Sequence, residues 1–130
     1  MAPKNASSLT SAFKGQWRIE AMDLWDKDAI DLVEPGFIAS NGEKGEMRFI
    51  AVRAWLDVRY DIRDKVPVAE FSWEGVDEGD RRSGRGWAIL KRDGGLAGHI
   101  FFHNGDDSGF TCGPRRLLQP PATRARRRKT

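Results

Sequence analysis

The sequence predicts an all-β domain in which seven or eight short antiparallel strands form an up-and-down meander that closes into a barrel. Apolar and polar residues alternate along most of the chain, as they do in strands with one buried face. Turn dipeptides such as Asn41–Gly42 and Asp93–Gly94 separate the alternating segments. Aromatic side chains able to fill a small core are numerous, with five Trp and seven Phe. Closure is expected because it removes the exposed edges of an open sheet.

The first half of the chain contains three alternating segments. Residues 15–22 place Trp17 and Ile19 on one face, which predicts a strand. Residues 23–34 break the alternation, and we interpret them as a connection or lid with a short helical turn. A short strand over residues 36–40 follows. Residues 46–62 contain no turn signal, so the pattern favours one long strand, bent near residues 53–54 to fit a small domain.

The second half contains the remaining strands. Residues 67–74 alternate and are followed by a polar loop over residues 75–84. The Asp93–Gly94 turn joins strands over residues 85–92 and 95–103 into a hairpin. The last strand, residues 108–112, ends at Pro114 because proline cannot donate to the ladder.

Charge divides the chain into a body and a tail. The net charge is +3, yet the seven basic residues from Arg115 onward face no acid there, which leaves 15 basic and 19 acidic residues in positions 1–114. We therefore expect a disordered N-terminus over residues 1–12, a barrel over residues 13–116 and a disordered basic tail over residues 117–130. An acidic body disfavours nucleic-acid binding by the barrel, and the Arg-rich tail stays the alternative contact for nucleic acid or another partner.

The single cysteine and the lack of long apolar runs indicate the cellular compartment of the protein. The lone Cys112 cannot form an intramolecular disulfide, and it is expected to be a buried, inert thiol. No apolar run has the length of a signal-peptide core or a membrane helix. These features predict a cytoplasmic protein without a membrane span. The sequence leaves open whether it is a monomer or a homodimer.

The first strand carries a motif with a known setting. Gly15-Gln16-Trp17 resembles the G-x-W motif that opens lipocalin-like (calycin) barrels. The resemblance implies that Trp17 packs across the closed end of the barrel and that Arg115 or Arg116 covers it. The segments FSWEGVDEGD, GRGWAIL and GHIFFHNGDDSGF also resemble a group of small bacterial proteins of uncharacterised function. Over residues 13–116 these resemblances imply a fold and no activity.

The aromatic residues are the leading functional signal. Their enrichment at alternating positions along the strands predicts a pocket for a small apolar or aromatic ligand. The predicted ligand-binding residues are Trp17, Phe71, Trp73, Trp87 and Phe101. The alternative is that these side chains fill the interior and leave no cavity.

A second hypothesis is a small barrel enzyme of the lyase, isomerase or hydrolase type. Its candidate catalytic residues are His103, His99, Glu70 and Arg53, with an inward histidine acting beside a carboxylate. No cofactor and no metal site are predicted. His99 and His103 would lie about 13 Å apart on one strand, too far to share a metal. The acidic clusters at residues 77–80 and 106–107 lack the spacing of a calcium loop.

Overall fold

The structure is a computed structural model that describes residues 9–114. Within them, the prediction of a closed all-β barrel is confirmed: eight antiparallel strands pair in chain order, and the last pairs with the first across an irregular register. The strands are β1 (Gly15–Met22), β2 (Phe37–Asn41), β3 (Lys44–Phe49), β4 (Val52–Arg63), β5 (Val66–Asp77), β6 (Asp80–Leu90), β7 (Leu96–Phe102) and β8 (Asp107–Cys112). A short helix, Lys27–Ile30, lies between β1 and β2.

Strict alternation gives the barrel its apolar interior. Along β4, Val52, Ala54 and Leu56 are buried, whereas the residues between them are exposed. Side chains of period two must point to opposite faces of a strand, so one face of β4 enters the core and the other meets solvent. Register then aligns this face with β3 and β5, and the β4–β5 hairpin forms twelve consecutive pairs.

Small inward residues make room for large ones across the ladder. Gly86 lies directly opposite Phe71, and Gly98 lies directly opposite Phe110. A Cβ atom at Gly86 would lie 2.4 Å from Phe71 Cζ, and one at Gly98 would lie 2.6 Å from Phe110 Cζ. Each aromatic ring therefore packs over the bare backbone of the next strand, a pairing that both fills the core and fixes the register.

The prediction of one long strand over residues 46–62 is wrong, because a tight turn at residues 50–51 divides this segment into β3 and β4. Ile50 adopts a φ of 56° there, as the first central residue of a type II′ turn does. The turn also changes the phase, so Phe49 points inward rather than away from Val52. The position lacks the glycine that normally marks such a turn, and the Ile50 N–H donates to the Ile30 carbonyl at 2.8 Å.

Two other segments are more ordered than the sequence predicts. The residues predicted as a polar loop over 75–84 instead continue β5 and begin β6. Glu78 and Gly79, both at positive φ, form the turn between them. Residues 9–13 are helical, and Leu9 is buried although it lies in the stretch predicted to be disordered. The predicted basic tail lies outside the described residues.

The two ends of the barrel differ. At one end, called the closed end, Trp17 is buried and its Nε1–H donates to the Phe13 carbonyl at 3.0 Å. The cavity left among Trp17, Phe71 and their neighbours there is about 20 Å³. At the other end, the mouth, the chain enters the connection of residues 23–34 and the turns at residues 50–51, 78–79 and 103–106. No helix within residues 9–114 is long and apolar enough to cross a membrane.

Candidate functional site

The mouth of the barrel opens into a large cavity. Its volume is about 1170 Å³, and its lining comes from the 23–34 connection, β3, β4, the β5–β6 hairpin and the β7–β8 turn. Concave sites of small-molecule proteins span roughly 300–1,000 Å³ and combine apolar walls with a few polar groups. The mouth has the size for a small organic molecule.

Aromatic rings form the floor of this cavity. Phe49 packs against Trp25 at a ring-centroid distance of 5.7 Å and edge-on against Phe102 at 6.2 Å. Phe102 in turn packs edge-on against Trp73 at 5.2 Å. Such tilted and edge-on arrangements are the favourable ones for aromatic pairs. The floor thus consists of Trp25, Phe49 and Phe102, and the buried Trp73 packs against Phe102 behind it.

Trp25 is brought to the mouth by the connection of residues 23–34. The Asp26 carboxylate caps the short helix by accepting the Ala29 N–H at 2.9 Å. Ile30, at the end of that helix, is fully buried. Its carbonyl accepts the Ile50 N–H. The connection is therefore fixed to the barrel by burial and by a backbone hydrogen bond.

Asp31 fixes the other end of the same connection. Its carboxylate accepts the Gly36 N–H at 2.8 Å and forms ion pairs with Lys27 at 2.9 Å and Arg18 at 3.3 Å. The Gly36 hydrogen bond, followed by Lys27 and Arg18, lowers the pKa of Asp31 below its ordinary value against the opposing effect of burial. These contacts hold the segment in the orientation that presents Trp25 to Phe49.

The rim of the mouth is charged. Four carboxylate side chains line it, together with the guanidinium groups of Arg81 and Arg82. The carboxylates are those of Glu74, Asp77, Glu78 and Asp106. Arg82 lies 3.7 Å from the carboxylate of Asp80 in the same hairpin. Carboxylates therefore outnumber guanidinium groups around the cavity.

The five residues predicted to bind a ligand do not share a pocket. Trp17, Phe71 and Trp73 point inward and are almost fully buried. Trp87 and Phe101 lie on the outer face of β6 and β7, because their strand neighbours Gly86, Ala88 and Ile100 face the core. Trp73 packs against Phe102 and lines, together with Phe101, a cavity of about 580 Å³ beside the mouth, whereas Trp17 and Phe71 line the cavity of about 20 Å³.

Trp87 and Phe101 belong instead to an outer-face cluster. Trp87 stacks on His99 at a centroid distance of 6.4 Å, and His99 contacts Phe101 at 4.6 Å. The Arg85 guanidinium lies 4.3 Å from the Phe101 ring centroid. His99 Nε2 lies within hydrogen-bond distance of the Asp107 carboxylate. The cluster is thus internally paired, and its rings cover the outside of a wall whose inner face carries glycines.

The four candidate catalytic residues are also separated. Glu70 is on the outer face and pairs with Arg63, while the Arg53 guanidinium lies 5.5 Å from the Trp55 ring. His103 is in the turn after β7 rather than on the strand, and it lines the mouth. Its backbone N–H donates to the Ser83 carbonyl at 2.7 Å. No inward histidine within residues 9–114 is hydrogen-bonded to a carboxylate.

Sequence reasoning missed three aromatic residues of the mouth. Trp25 lies in a segment without strand periodicity. An unbroken strand over residues 46–62 would put Phe49 on the face opposite Val52, whereas the turn at Ile50 brings both side chains inward. Phe102 follows Phe101 directly, and the prediction chose Phe101 as the ligand-binding ring. The inward positions of Gly98 and Ile100, four and two residues before Phe102, are the signal that assigns Phe102 to the interior.

Two further kinds of side chain could carry chemistry: metal ligands and the Cys112 thiol. No group of three or more His, Cys, Asp or Glu side chains there is arranged to hold a metal ion. Cys112 is buried, and burial, with a further effect of Glu20, raises the pKa of its thiol to about 12. A thiol with such a pKa is not a nucleophile at neutral pH.

Comparisons with known proteins identify no relative, so the proposed function rests on the geometry of the mouth. No family model matches the chain, and neither a curated protein nor a solved structure matches it. The closed eight-stranded barrel is consistent with the resemblance to calycin-like barrels. The similarity to small bacterial proteins stays a prediction.

Proposed function

We propose that this barrel binds a small organic molecule with an aromatic or other apolar part, and that the ligand sits in the mouth rather than in the interior. The observation that carries the proposal is the cavity of about 1170 Å³ above the aromatic floor of Phe49 and Phe102. Apolar walls supply most of the binding free energy of small ligands, and a polar rim orients them.

The location follows from the two cavity volumes. The space of about 20 Å³ at the closed end is of the order that holds one water molecule. A ligand among Trp17 and Phe71 would have to displace core side chains, at a cost of several kcal/mol. The mouth accepts a ligand without this cost, because its cavity is already open and the Trp25 and Phe102 rings that line it are only partly buried.

The test is a fragment screen followed by nuclear magnetic resonance on the isotope-labelled protein, with binding mapped by amide and Trp indole shifts. Phe102 and Phe101 offer a matched pair, since they are identical neighbours on β7 that face the mouth and the outside. Phe102→Leu removes an aromatic face from the floor, so we expect it to weaken binding about tenfold. Phe101→Leu is expected to change affinity by less than about twofold.

The pattern of shifts decides between the sites. Shifts centred on the Trp25 indole and on residues 102–106 support the proposal. Hits that shift the outer-face cluster, or that lose affinity equally in the two leucine variants, contradict it. A charge-balanced library that gives no hit at millimolar concentration also contradicts it.

A further inference from the structure

The charges around the mouth define which ligands it favours. Building on the proposed function, we infer that the ligand is an organic cation: an amine or quaternary ammonium compound with an aromatic or alkyl part. The site is the cavity with its aromatic floor, and the rim carboxylates decide the sign of the charge that it selects.

The lining carries unbalanced negative charge. Among the ion pairs formed within residues 9–114, none involves Glu74, Asp77, Glu78 or Asp106. Of the two guanidinium groups at the rim, that of Arg82 lies near Asp80. A concave surface with low-dielectric walls focuses such a field and raises the local concentration of cations.

The aromatic floor adds an attraction of the same sign. The face of an aromatic ring is the negative end of its quadrupole, so it binds cations, and ammonium groups in aromatic cages are the standard case. Trp25 lies in contact with Phe49 at the floor. Trp25 and Phe102 line the cavity and are only partly buried, so that part of each ring is accessible. The negative charge of the rim and the aromatic rings of the floor therefore both favour a cationic ligand.

An inorganic cation does not fit this arrangement. Calcium requires six to eight oxygen ligands at 2.3–2.6 Å, and the described residues contain no group of three side chains placed to hold a metal. A bulky organic cation needs no convergent ligand sphere. Its positive charge can be offset by carboxylates spread around a cavity of about 1170 Å³ while its apolar part rests on the floor.

The experiment compares three probes that share a benzyl group and differ in charge. They are benzyltrimethylammonium, which is cationic, benzyl methyl sulfone, which is neutral, and phenylmethanesulfonate, which is anionic. Each is titrated into the labelled full-length protein at low salt, up to millimolar concentration. We expect shifts at the Trp25 indole and residues 102–106 with the cation, and at least fivefold weaker binding of the other two.

Two double variants with equal changes in charge test the rim. Glu78→Gln with Asp106→Asn removes two carboxylates from the mouth, whereas Glu43→Gln with Asp64→Asn removes two from turns at the closed end. Each exposed carboxylate contributes modestly to binding, so loss of both is expected to make the mouth variant bind the cation about fivefold more weakly. The closed-end variant is expected to bind it within about twofold of the wild type, and added salt should narrow the difference.

Failure of the inference is distinct from failure of the proposed function. If the neutral or anionic probe binds the mouth as tightly as the cation, or if the two double variants behave alike, the inference is overturned while the mouth remains a ligand site. If none of the three probes shifts mouth resonances, both are overturned.

Discussion

Replacing Gly86 by alanine tests the packing that separates the filled end of the barrel from its mouth. The added Cβ would lie 2.4 Å from Phe71 Cζ and 2.6 Å from the His99 carbonyl oxygen. The Phe71 ring is buried in the core, and the neighbouring cavity of about 20 Å³ gives it little room to move. The His99 carbonyl belongs to the backbone of β7, which is paired to β6 along seven residues. Relieving these close contacts therefore requires β6 and β7 to move apart.

Two effects set the change in the free energy of unfolding: overpacking of the folded core and restriction of the unfolded chain. Overpacked cores lose about 1–3 kcal/mol, and we expect the upper end because a backbone atom is involved. Alanine also restricts the unfolded chain, which returns about 0.4–1 kcal/mol. The net loss in the free energy of unfolding is about 2 kcal/mol. For a domain of this size it corresponds to a melting temperature lower by about 8 °C.

The assay is urea unfolding followed by Trp fluorescence, with Gly109→Ala as the matched control. Gly109 is on β8, and the three atoms nearest to a Cβ added there all belong to the carboxylate of Asp23, an exposed side chain. This carboxylate can rotate away at the cost of its hydrogen bond with the Gly109 N–H, so the control is expected to lose less than about 1 kcal/mol. If Gly86→Ala is no more destabilising than Gly109→Ala, the aromatic-over-glycine packing is not the determinant of this wall.

Three further predictions concern the thiol, the connection and the closed end. Because burial raises the pKa of the Cys112 thiol to about 12, the unfolded chain loses this proton near pH 9 while the folded chain keeps it. Stability should therefore fall as pH rises above about 9, and less steeply in Cys112→Ala; equal slopes would contradict the assignment. Asp31→Asn should cost about 1 kcal/mol at pH 7, since the lowered pKa of Asp31 stabilises the fold above its ordinary value of 3.8. This difference should shrink as pH falls below 3.8, and a constant difference in acid unfolding experiments would argue against a role for the charge. Trp17→Phe keeps a ring but removes the donor to the Phe13 carbonyl, so it should cost about 1 kcal/mol more in urea unfolding than Trp87→Phe on the outer face; equal costs would refute that reasoning.

Much of the fold could be predicted because alternation is a local property. A strand with one buried face must repeat every two residues, and the segments that contain Trp17, Leu56 and Phe110 do so whatever their neighbours are. Turns that need a positive φ were found at Gly42 and Gly94, where the glycine follows Asn or Asp in a typical hairpin dipeptide. The turn at Ile50 was missed because an isoleucine occupies a position that favours glycine, and the contact with Ile30 that accompanies it is tertiary.

The candidate site was far less predictable, because the size of a side chain does not reveal which face it is on. Trp87 is large and is flanked by the small residues Gly86 and Ala88, so size alone predicts that Trp87 faces the core. In the barrel the small residues face inward, since the ring of Phe71 from the next strand occupies the space above Gly86. Only the register between β5 and β6 decides this, and register is a pairing between distant segments.

The sequence by itself determined an all-β meander, its closure into a barrel, and an acidic body distinct from a basic C-terminal stretch. Tertiary structure alone decided that one end of the barrel is filled while the other opens into a cavity. It also brought Trp25, Phe49 and Phe102 together from three separate segments. The physical reason is that alternation and charge are local to a strand, whereas a cavity exists only where strands from the whole chain meet and leave space between them.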